Sequence, residues 1–185
     1  MVVVGGGHSA VQLLAEISDV AAETRWVTRR PPTWRTEAEL TPELGRRVVA
    51  KVEERVRAGL PPQSVVEVTG LFLRPQERAA AARGVYHREP MFARIVPDGV
   101  QWADGRFAAA DVILWATGFR ASLRHLAPLR LREPTGGIRM HGTQAARDPR
   151  VHLLGYGPSA STIGGNRAGR AAALAVRDLL SARPA

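Results

Sequence analysis

The stretch Met-Val-Val-Val-Gly-Gly-Gly-His-Ser-Ala (residues 1–10) decides the fold of this chain of 185 residues. Its three valines predict a buried strand, and Gly5, Gly7 and Ala10 then fall at the spacing G-x-G-x-x-A. At that spacing the first glycine permits a tight turn, the second lets a pyrophosphate approach the backbone, and the alanine lets a helix pack near the strand. The stretch therefore predicts the phosphate turn of a dinucleotide-binding strand–helix–strand unit.

The residues that follow continue this unit through a helix and a second strand. Apolar residues at 11, 14, 17 and 21 keep a three-to-four-residue period, which predicts a helix that ends near Ala22. Arg25–Thr28 is typical of a strand, so the unit has about the thirty residues that the motif needs.

Arg29 and Arg30 follow the second strand, at the position where an NAD-specific site usually has an acidic residue. A carboxylate there would repel the 2′-phosphate of NADP, whereas a guanidinium can bind it with two hydrogen bonds and stack on adenine. The arginine pair therefore predicts NADP(H). The alternative is that both arginines only solvate a loop.

The middle of the chain predicts elements that serve packing. After a loop over residues 33–40, Thr41 and Pro42 are typical of a helix start, and apolar residues at 44, 48, 52 and 56 predict a core-facing stripe ending at Gly59. Residues 65–69 favour a short strand, and residues 75–83 favour a helix. Residues 92–110 predict a small antiparallel β-meander, because turn sequences separate its three apolar runs.

Two later stretches favour ligand contacts. The run Asp-Val-Ile-Leu-Trp-Ala-Thr-Gly-Phe (111–119) predicts a buried parallel strand that ends at a cofactor crevice, where Ala116, Thr117 and Gly118 let a nucleotide ring lie against the backbone. Residues 150–154 predict another strand, and residues 167–180 the final helix. Between them lies a loop of small residues, which is a second platform for an anion or a cofactor.

Composition excludes several classes of function. The chain has no cysteine, which rules out disulfides, thiolate zinc sites and redox-active cysteine pairs. Its five histidines lack metal-ligand spacing, and no serine has a nucleophile-elbow pattern. The net charge of +9 suggests nucleic-acid binding, but the basic residues are scattered and no nucleic-acid-binding motif is present. We expect a cytoplasmic protein, with neither nucleic acid nor membrane as a partner.

Three stretches together resemble the flavoproteins with two dinucleotide domains, and most closely those of the flavin-containing monooxygenase type. They are Val-Val-Val-Gly-Gly-Gly-His-Ser-Ala-Val-Gln (2–12), the run at 111–119, and Gly-Tyr-Gly-Pro-Ser-Ala-Ser-Thr-Ile-Gly (155–164). In that family the first stretch is the second of two glycine motifs and binds NADPH. The third contacts FAD. The resemblance thus implies two sets of cofactor-binding residues: Gly5, Gly7, Ser9, Ala10, Arg29 and Arg30 for NADP, and Gly157, Ser159, Thr162 and Asn166 for FAD.

The family also has an FAD-binding unit with its own glycine motif ahead of the NADPH motif, and this sequence lacks it. The sequence therefore resembles the C-terminal portion of such an enzyme. We expect an α/β fold, with a Rossmann-like NAD(P)-binding domain that includes the β-meander (1–118), followed by a partial FAD-domain segment (119–185).

The activity that the resemblance implies is that of an FAD-dependent, NADPH-using oxidoreductase of the monooxygenase type. Hydride would pass from NADPH to the flavin and then electrons to oxygen, with a small-molecule substrate and no identified catalytic side chain. The partner would be a separate FAD-binding chain or a second copy. The alternatives are a catalytically silent NADP-binding remnant, one chain of a split flavoenzyme, and a basic nucleic-acid-binding protein.

Overall fold

The computed structural model describes residues 1–36, 39, 41–63 and 68–181, apart from the side chains of Thr162 and Ile163. It forms two compact units, Met1–Leu40 with Gly70–Phe119 and Thr41–Thr69 with Arg120–Ala185. Residues 41–69 therefore group with the later part of the chain, whereas the sequence predicted a contiguous first domain over 1–118. The assignment of the two units to NADP and FAD stays a prediction.

The chain has a mixed α/β arrangement, in which helices lie among the early strands and the strands between Arg88 and His152 follow one another without an α-helix. In chain order they are β1 (Val2–Val4), α1 (His8–Ile17), β2 (Arg25–Thr28), β3 (Trp34–Arg35), α2 (Pro42–Arg57), β4 (Leu71–Phe72), α3 (Pro75–Ala82), β5 (Arg88–Pro90), β6 (Arg94–Val96), β7 (Gly99–Gln101), β8 (Phe107–Ala109), β9 (Ile113–Trp115), β10 (Met140–His141), β11 (Gln144–Ala145), β12 (Asp148–His152) and α4 (Thr162–Ser181). Short 3₁₀ helices lie at Arg124–Leu129 and Gly157–Ser159.

A four-stranded parallel sheet in the order β5-β2-β1-β9 organises the first unit. Alternate residues of β1 face opposite sides of this sheet. Val3 packs in a cluster with Val11 and Leu14 of α1, whereas Val2 and Val4 pack in a cluster that includes residues of the β6–β8 meander. All three valines are at most 3 % exposed, which confirms the buried strand that the valine run predicted.

The predicted strand–helix–strand start and the meander are confirmed, and two predictions within residues 1–40 were wrong. Helix α1 ends at Ile17 and does not reach Ala22, because its buried face runs out there and Val20 is 85 % exposed. Within the predicted loop 33–40, Trp34–Arg35 instead forms a strand that pairs in parallel with Leu71–Phe72. That partner is distant in sequence, so the local pattern did not reveal it.

Strand β9 pairs in parallel with β1, as predicted, but it is not buried. Among the described residues β1 is its only neighbour in the sheet, and β9 therefore forms an edge. Val112 is 46 % exposed, Trp115 is 52 % exposed and Phe119 is fully exposed. The apolar character of 111–119 thus predicted the pairing correctly and the burial incorrectly.

The second unit packs helix α2 against a small antiparallel sheet, β10-β11-β12. The Leu44 N–H donates to the Thr41 side-chain oxygen (3.2 Å), and Leu44, Val48, Val52 and Val56 are buried, as predicted. Gly59 has a φ of +71° just beyond the helix end. The core cluster is Val56, Leu131, Ile138, Met140, Ala145, Leu153 and Tyr156.

The remaining predicted elements differ at their boundaries. The strand predicted over 150–154 is β12 (Asp148–His152), and the final helix begins at Thr162, five residues before the predicted start at 167. The strand predicted over 65–69 falls largely outside the described residues. Val68 and Thr69, which are described, are helical.

Candidate functional site

The carboxyl ends of three parallel strands meet at one edge of the first unit's sheet. The Gly5 N–H donates to the Val27 carbonyl (3.0 Å), and the Ala116 N–H donates to the Val4 carbonyl (2.8 Å). These bonds place the turn after β1 between Thr28, which ends β2, and Ala116, which follows β9. The structure thus brings together the candidate residues from three separate stretches of the chain.

The ends of β1 and β9 approach each other so closely that only glycine fits at position 5. Its φ is +152°, and a Cβ at this position would lie 2.1 Å from the Ala116 carbonyl oxygen. The Gly5 carbonyl also accepts a hydrogen bond from Nε1 of the buried Trp26 (2.7 Å). Any larger residue would therefore push β1 and β9 apart.

The start of helix α1 is open towards a ligand. Gly7 is the N-cap, no side chain caps the helix, and a Cβ on Gly7 would meet no atom within 4 Å. Within the described chain no oxygen accepts a hydrogen bond from the N–H groups of residues 6–9. Ser9 is exposed, and Ala10 is fully buried against the sheet. Free N–H groups at the positive end of a helix form an anion site, so these residues fit a pyrophosphate.

Arg29 and Arg30 come directly after Thr28, whose side chain lies 3.9 Å from where a Cβ on Gly6 would stand. Both arginine side chains are exposed, and neither has an ion-pair partner among the described carboxylates. By contrast, Arg25 at the beginning of β2 pairs with Glu23 (2.7 Å) and Glu89 (2.9 Å). The two guanidiniums at the end of the strand are therefore available to an anionic ligand.

The first helical residue, His8, packs its ring inwards. The imidazole stacks on Phe72, with 6.0 Å between ring centroids, and its buried Nε2 has no hydrogen-bond partner among the described residues. Burial and the nearby Arg74 lower the pKa of His8, an effect that the carboxylate of Glu77 opposes. The ring is consequently neutral at pH 7, and the sequence pattern did not reveal its neighbours.

Thr117 and Gly118 complete this edge of the first unit. Both are exposed, and Gly118 has a φ of +77° with open space where a Cβ would stand. Ala116 is half-buried and packs against the cluster that contains Val3, Val11 and Leu14. The backbone of residues 116–118 is thus held at the strand ends without bulky side chains, as the sequence predicted for a nucleotide-facing turn.

Arg88 is a neighbour of this edge that sequence reasoning missed. It lies on β5, and its side chain donates to the hydroxyl (2.8 Å) and the carbonyl (3.1 Å) of Thr28. No local motif marks this arginine, because its role depends on the parallel pairing of β5 with β2.

The four candidate FAD residues lie in the second unit, around the start of α4. Gly157 has a φ of +63°, and a Cβ there would lie 2.8 Å from Cγ1 of Val56. The Ser159 hydroxyl is used within its own turn, since it accepts from the Tyr156 N–H (3.1 Å) and donates to the Tyr156 carbonyl (2.9 Å). Thr162 begins α4, with its side chain outside the described residues, and Asn166 is exposed.

The small residues of this second loop have a packing role. A Cβ on Gly164 would lie 2.3 Å from the Pro158 carbonyl oxygen, and the Gly164 N–H donates to the hydroxyl of Ser161 (3.1 Å). The start of α4 therefore already has a side-chain cap, unlike the start of α1. Contact of Gly157, Ser159, Thr162 and Asn166 with FAD stays a prediction.

A cavity of about 550 Å³ lies elsewhere on the first unit, near the beginning of β2. Its lining includes Arg25, which forms ion pairs with Glu23 and Glu89, two further lining residues. Open parallel sheets bind ligands at the carboxyl ends of their strands. We therefore place the candidate site at the carboxyl ends of the strands, where the free N–H groups of α1 and the side chains of Arg29 and Arg30 lie.

Two further kinds of site were searched for in the described chain. No group of three or more His, Asp or Glu residues is placed to hold a metal ion there. None of the described helices is both long enough and apolar enough to cross a membrane.

Comparison with known proteins gives a consistent result. No protein-family model matches the chain, and no curated protein matches it significantly. Two solved structures of a flavin-containing monooxygenase from Stenotrophomonas maltophilia match it, one of them a double mutant. The double mutant is 36 % identical with a TM-score of 0.69, and the match covers 95 % of this chain and 49 % of the mutant chain. The other structure is 34 % identical with a TM-score of 0.70, and the match covers 96 % of this chain and 49 % of that chain.

An L-lysine 6-monooxygenase from Pseudomonas syringae shares the fold at 17 % identity and a TM-score of 0.55, over 95 % of this chain and 53 % of that one. The chain spans about half the length of the structures that it matches.

Proposed function

Since this chain is a flavin monooxygenase-like polypeptide that spans about half of the solved enzymes, we propose that it carries the NADPH-binding part of a flavin-dependent oxidoreductase of the monooxygenase type. One observation carries this proposal. An uncapped helix start and two arginines without ion-pair partners among the described residues both lie at the carboxyl ends of the sheet's strands. Together they match the two anionic groups of NADP, the pyrophosphate and the 2′-phosphate.

The topology of the sheet supports a Rossmann-like interpretation of the first unit. From β1 the chain passes through α1 to β2 on one side, and β9 pairs with β1 on the other side. The strand order thus reverses at β1, and doubly wound folds bind dinucleotides at such a reversal. We assign the pyrophosphate to the backbone of Gly5, Gly7, Ser9 and Ala10, and the nicotinamide side of the site to residues 116–118.

The second unit is proposed to contact FAD through residues 157–166. The chemistry that a bound flavin would supply there is the uptake of hydride from NADPH and the passage of electrons to oxygen. Because the Ser159 hydroxyl is used within its turn, this residue would offer mainly its backbone to the cofactor. Asn166 is exposed and would offer its amide.

A partner that supplies the rest of the FAD site is part of the proposal. The first unit exposes Val112, Trp115 and Phe119, and helix α4 exposes Leu174 and Leu180. Exposed apolar side chains that cluster on a surface are typical of faces that another polypeptide covers, and Val112, Trp115 and Phe119 come from one short stretch of the chain. The partner that we propose for these side chains is an FAD-binding polypeptide, since the enzymes that the chain matches are flavin monooxygenases.

A second candidate function is NADP binding without turnover. It is favoured by the second unit, where Gly157 and Gly164 are required by packing and Ser161 already caps helix α4. In that case the loop at 155–166 would serve the fold alone, and the first unit would keep its dinucleotide site.

Separate titrations of the purified full chain with FAD and NADPH distinguish these functions. NADPH binding together with a retained yellow flavin and NADPH oxidation supports the flavoenzyme. NADPH binding without flavin supports the silent NADP-binding chain. Failure to bind NADPH would contradict both, and salt-sensitive DNA binding that NADPH does not compete would support a nucleic-acid-binding protein instead.

A further inference from the structure

We propose that Thr28 and Arg88 are positioning residues for dinucleotide specificity, because together they hold the backbone that carries Arg29 and Arg30. This inference rests on the proposed NADPH site and names the residues that would select a ligand with a 2′-phosphate. Neither residue would need to touch the phosphate to exert this effect.

Three hydrogen bonds link β5 to the arginine turn. Arg88 donates from Nε to the Thr28 hydroxyl (2.8 Å) and from Nη2 to the Thr28 carbonyl (3.1 Å). The same hydroxyl donates to the carbonyl of Arg30 (2.7 Å). The Thr28 hydroxyl is therefore both acceptor and donor, and it joins the guanidinium on one strand to the turn after the other.

Burial makes this link stiff and its loss costly. Thr28 is 2 % exposed, so its hydroxyl cannot exchange these partners freely for bulk water. The bond from Arg88 is charge-assisted, and it polarises the hydroxyl that donates to Arg30. The turn is thereby fixed through Arg30, whereas the side chains of Arg29 and Arg30 stay exposed for a ligand.

Charge adds to the same effect. Arg88 has no carboxylate within ion-pair distance among the described residues, although its strand neighbour Glu89 pairs with both Arg25 (2.9 Å) and Arg106 (3.3 Å). The uncompensated guanidinium of Arg88 therefore adds positive potential behind the arginine turn. A phosphate monoester, which carries nearly two negative charges at neutral pH, is the ligand group that this potential favours.

Loss of the Thr28 hydroxyl should affect the 2′-phosphate selectively. The pyrophosphate is assigned to the start of helix α1, and the turn before it is held by backbone hydrogen bonds from Gly5 to Val27 and from Ala116 to Val4, in which the Thr28 hydroxyl takes no part. Release of Arg30 would therefore weaken the binding of NADP+. The binding of NAD+, which lacks the 2′-phosphate, would change little. A general loss of fold would weaken both ligands together.

Calorimetric titration of the full chain with NADP+ and with NAD+ tests this, using Thr28→Val and Thr28→Ser as a matched pair. Valine keeps the shape without the hydroxyl and should lower NADP+ affinity about tenfold, with NAD+ affinity unchanged within about twofold. Serine keeps the hydroxyl and should retain the wild-type ratio of NADP+ affinity to NAD+ affinity. Arg88→Lys, which keeps the charge but loses the two-pronged geometry, should also lower the ratio.

The outcomes separate this proposal from the proposed function. A Thr28→Val chain that binds both dinucleotides as the wild type does, or that loses both equally, would overturn the positioning role. If Thr28→Val does not fold, an unchanged ratio in Arg88→Lys would overturn it instead. A wild-type chain that binds NADP+ no more tightly than NAD+ would refute the NADPH assignment itself, and this inference with it.

Discussion

Alanine substitutions at Gly5 and Gly7 separate the two reasons for glycine in the phosphate turn. A methyl group on Gly5 would lie 2.1 Å from the Ala116 carbonyl oxygen, more than 1 Å inside ordinary contact, at a φ of +152°. Backbone atoms cannot rotate away as a side chain can, so β9 must move from β1. We expect a loss of at least about 3 kcal/mol in the free energy of unfolding, from overpacking and backbone strain together.

Gly7→Ala provides the matched control within the same turn. A Cβ there meets no atom within 4 Å, so the folded state should lose less than about 0.5 kcal/mol. The methyl group would instead occupy the space where the pyrophosphate approaches, and NADP+ binding should weaken by about tenfold or more.

Thermal unfolding followed by circular dichroism, together with calorimetric titration of NADP+, measures both effects. For a chain of this size, the Gly5→Ala loss corresponds to a fall in Tm of about 6–12 °C. A Tm within 2 °C of wild type would refute the packing argument for Gly5. Unchanged NADP+ affinity in Gly7→Ala would refute the close approach of the ligand.

Two further predictions concern a helix cap and a histidine. Thr41→Ala should destabilise the second unit by about 1 kcal/mol, measured by urea unfolding, and Thr41→Ser should restore it, because only the hydroxyl accepts from Leu44. The pKa of His8 is lowered on folding, so the unfolded chain binds more protons as the pH falls below about 6.5. Stability should therefore be full above pH 6.5 and decline below it, and Tm values from pH 8 to pH 5 should show a smaller decline in His8→Gln. An identical decline in both proteins would contradict the lowered pKa.

Much of the candidate site could be predicted because its signals are local. The turn from β1 to α1, the strand Arg25–Thr28 and the arginines after it lie within thirty residues, and the role that we propose for each follows from residue type and spacing. The N-cap at Thr41 was predictable for the same reason, since its partner Leu44 is three residues away.

The features that sequence reasoning missed depend on contacts between distant segments. Arg88 reaches Thr28 across sixty residues, and Trp34 pairs with Leu71 through a strand alignment that no local pattern encodes. The exposure of Trp115 follows from the position of β9 at the sheet edge, which its apolar sequence cannot indicate.

Small residues are ambiguous for a related reason. At Gly7 the space beside the backbone is open, as a ligand requires, whereas at Gly157 and Gly164 it is filled by the chain itself. Spacing alone cannot separate these two cases, because both place glycine between a strand and a helix.

The measurement that tests the central claim most directly is the affinity of the full chain for NADP+ and NAD+, before and after replacement of Arg29 and Arg30 by alanine. The control replaces Arg46 and Arg47 on helix α2, which removes the same charge from the second unit. We predict that the double substitution Arg29→Ala/Arg30→Ala lowers the affinity for NADP+ by at least about tenfold more than the affinity for NAD+. The control should leave both affinities unchanged. Equal losses for both dinucleotides, or the same loss in the control, would contradict the 2′-phosphate site.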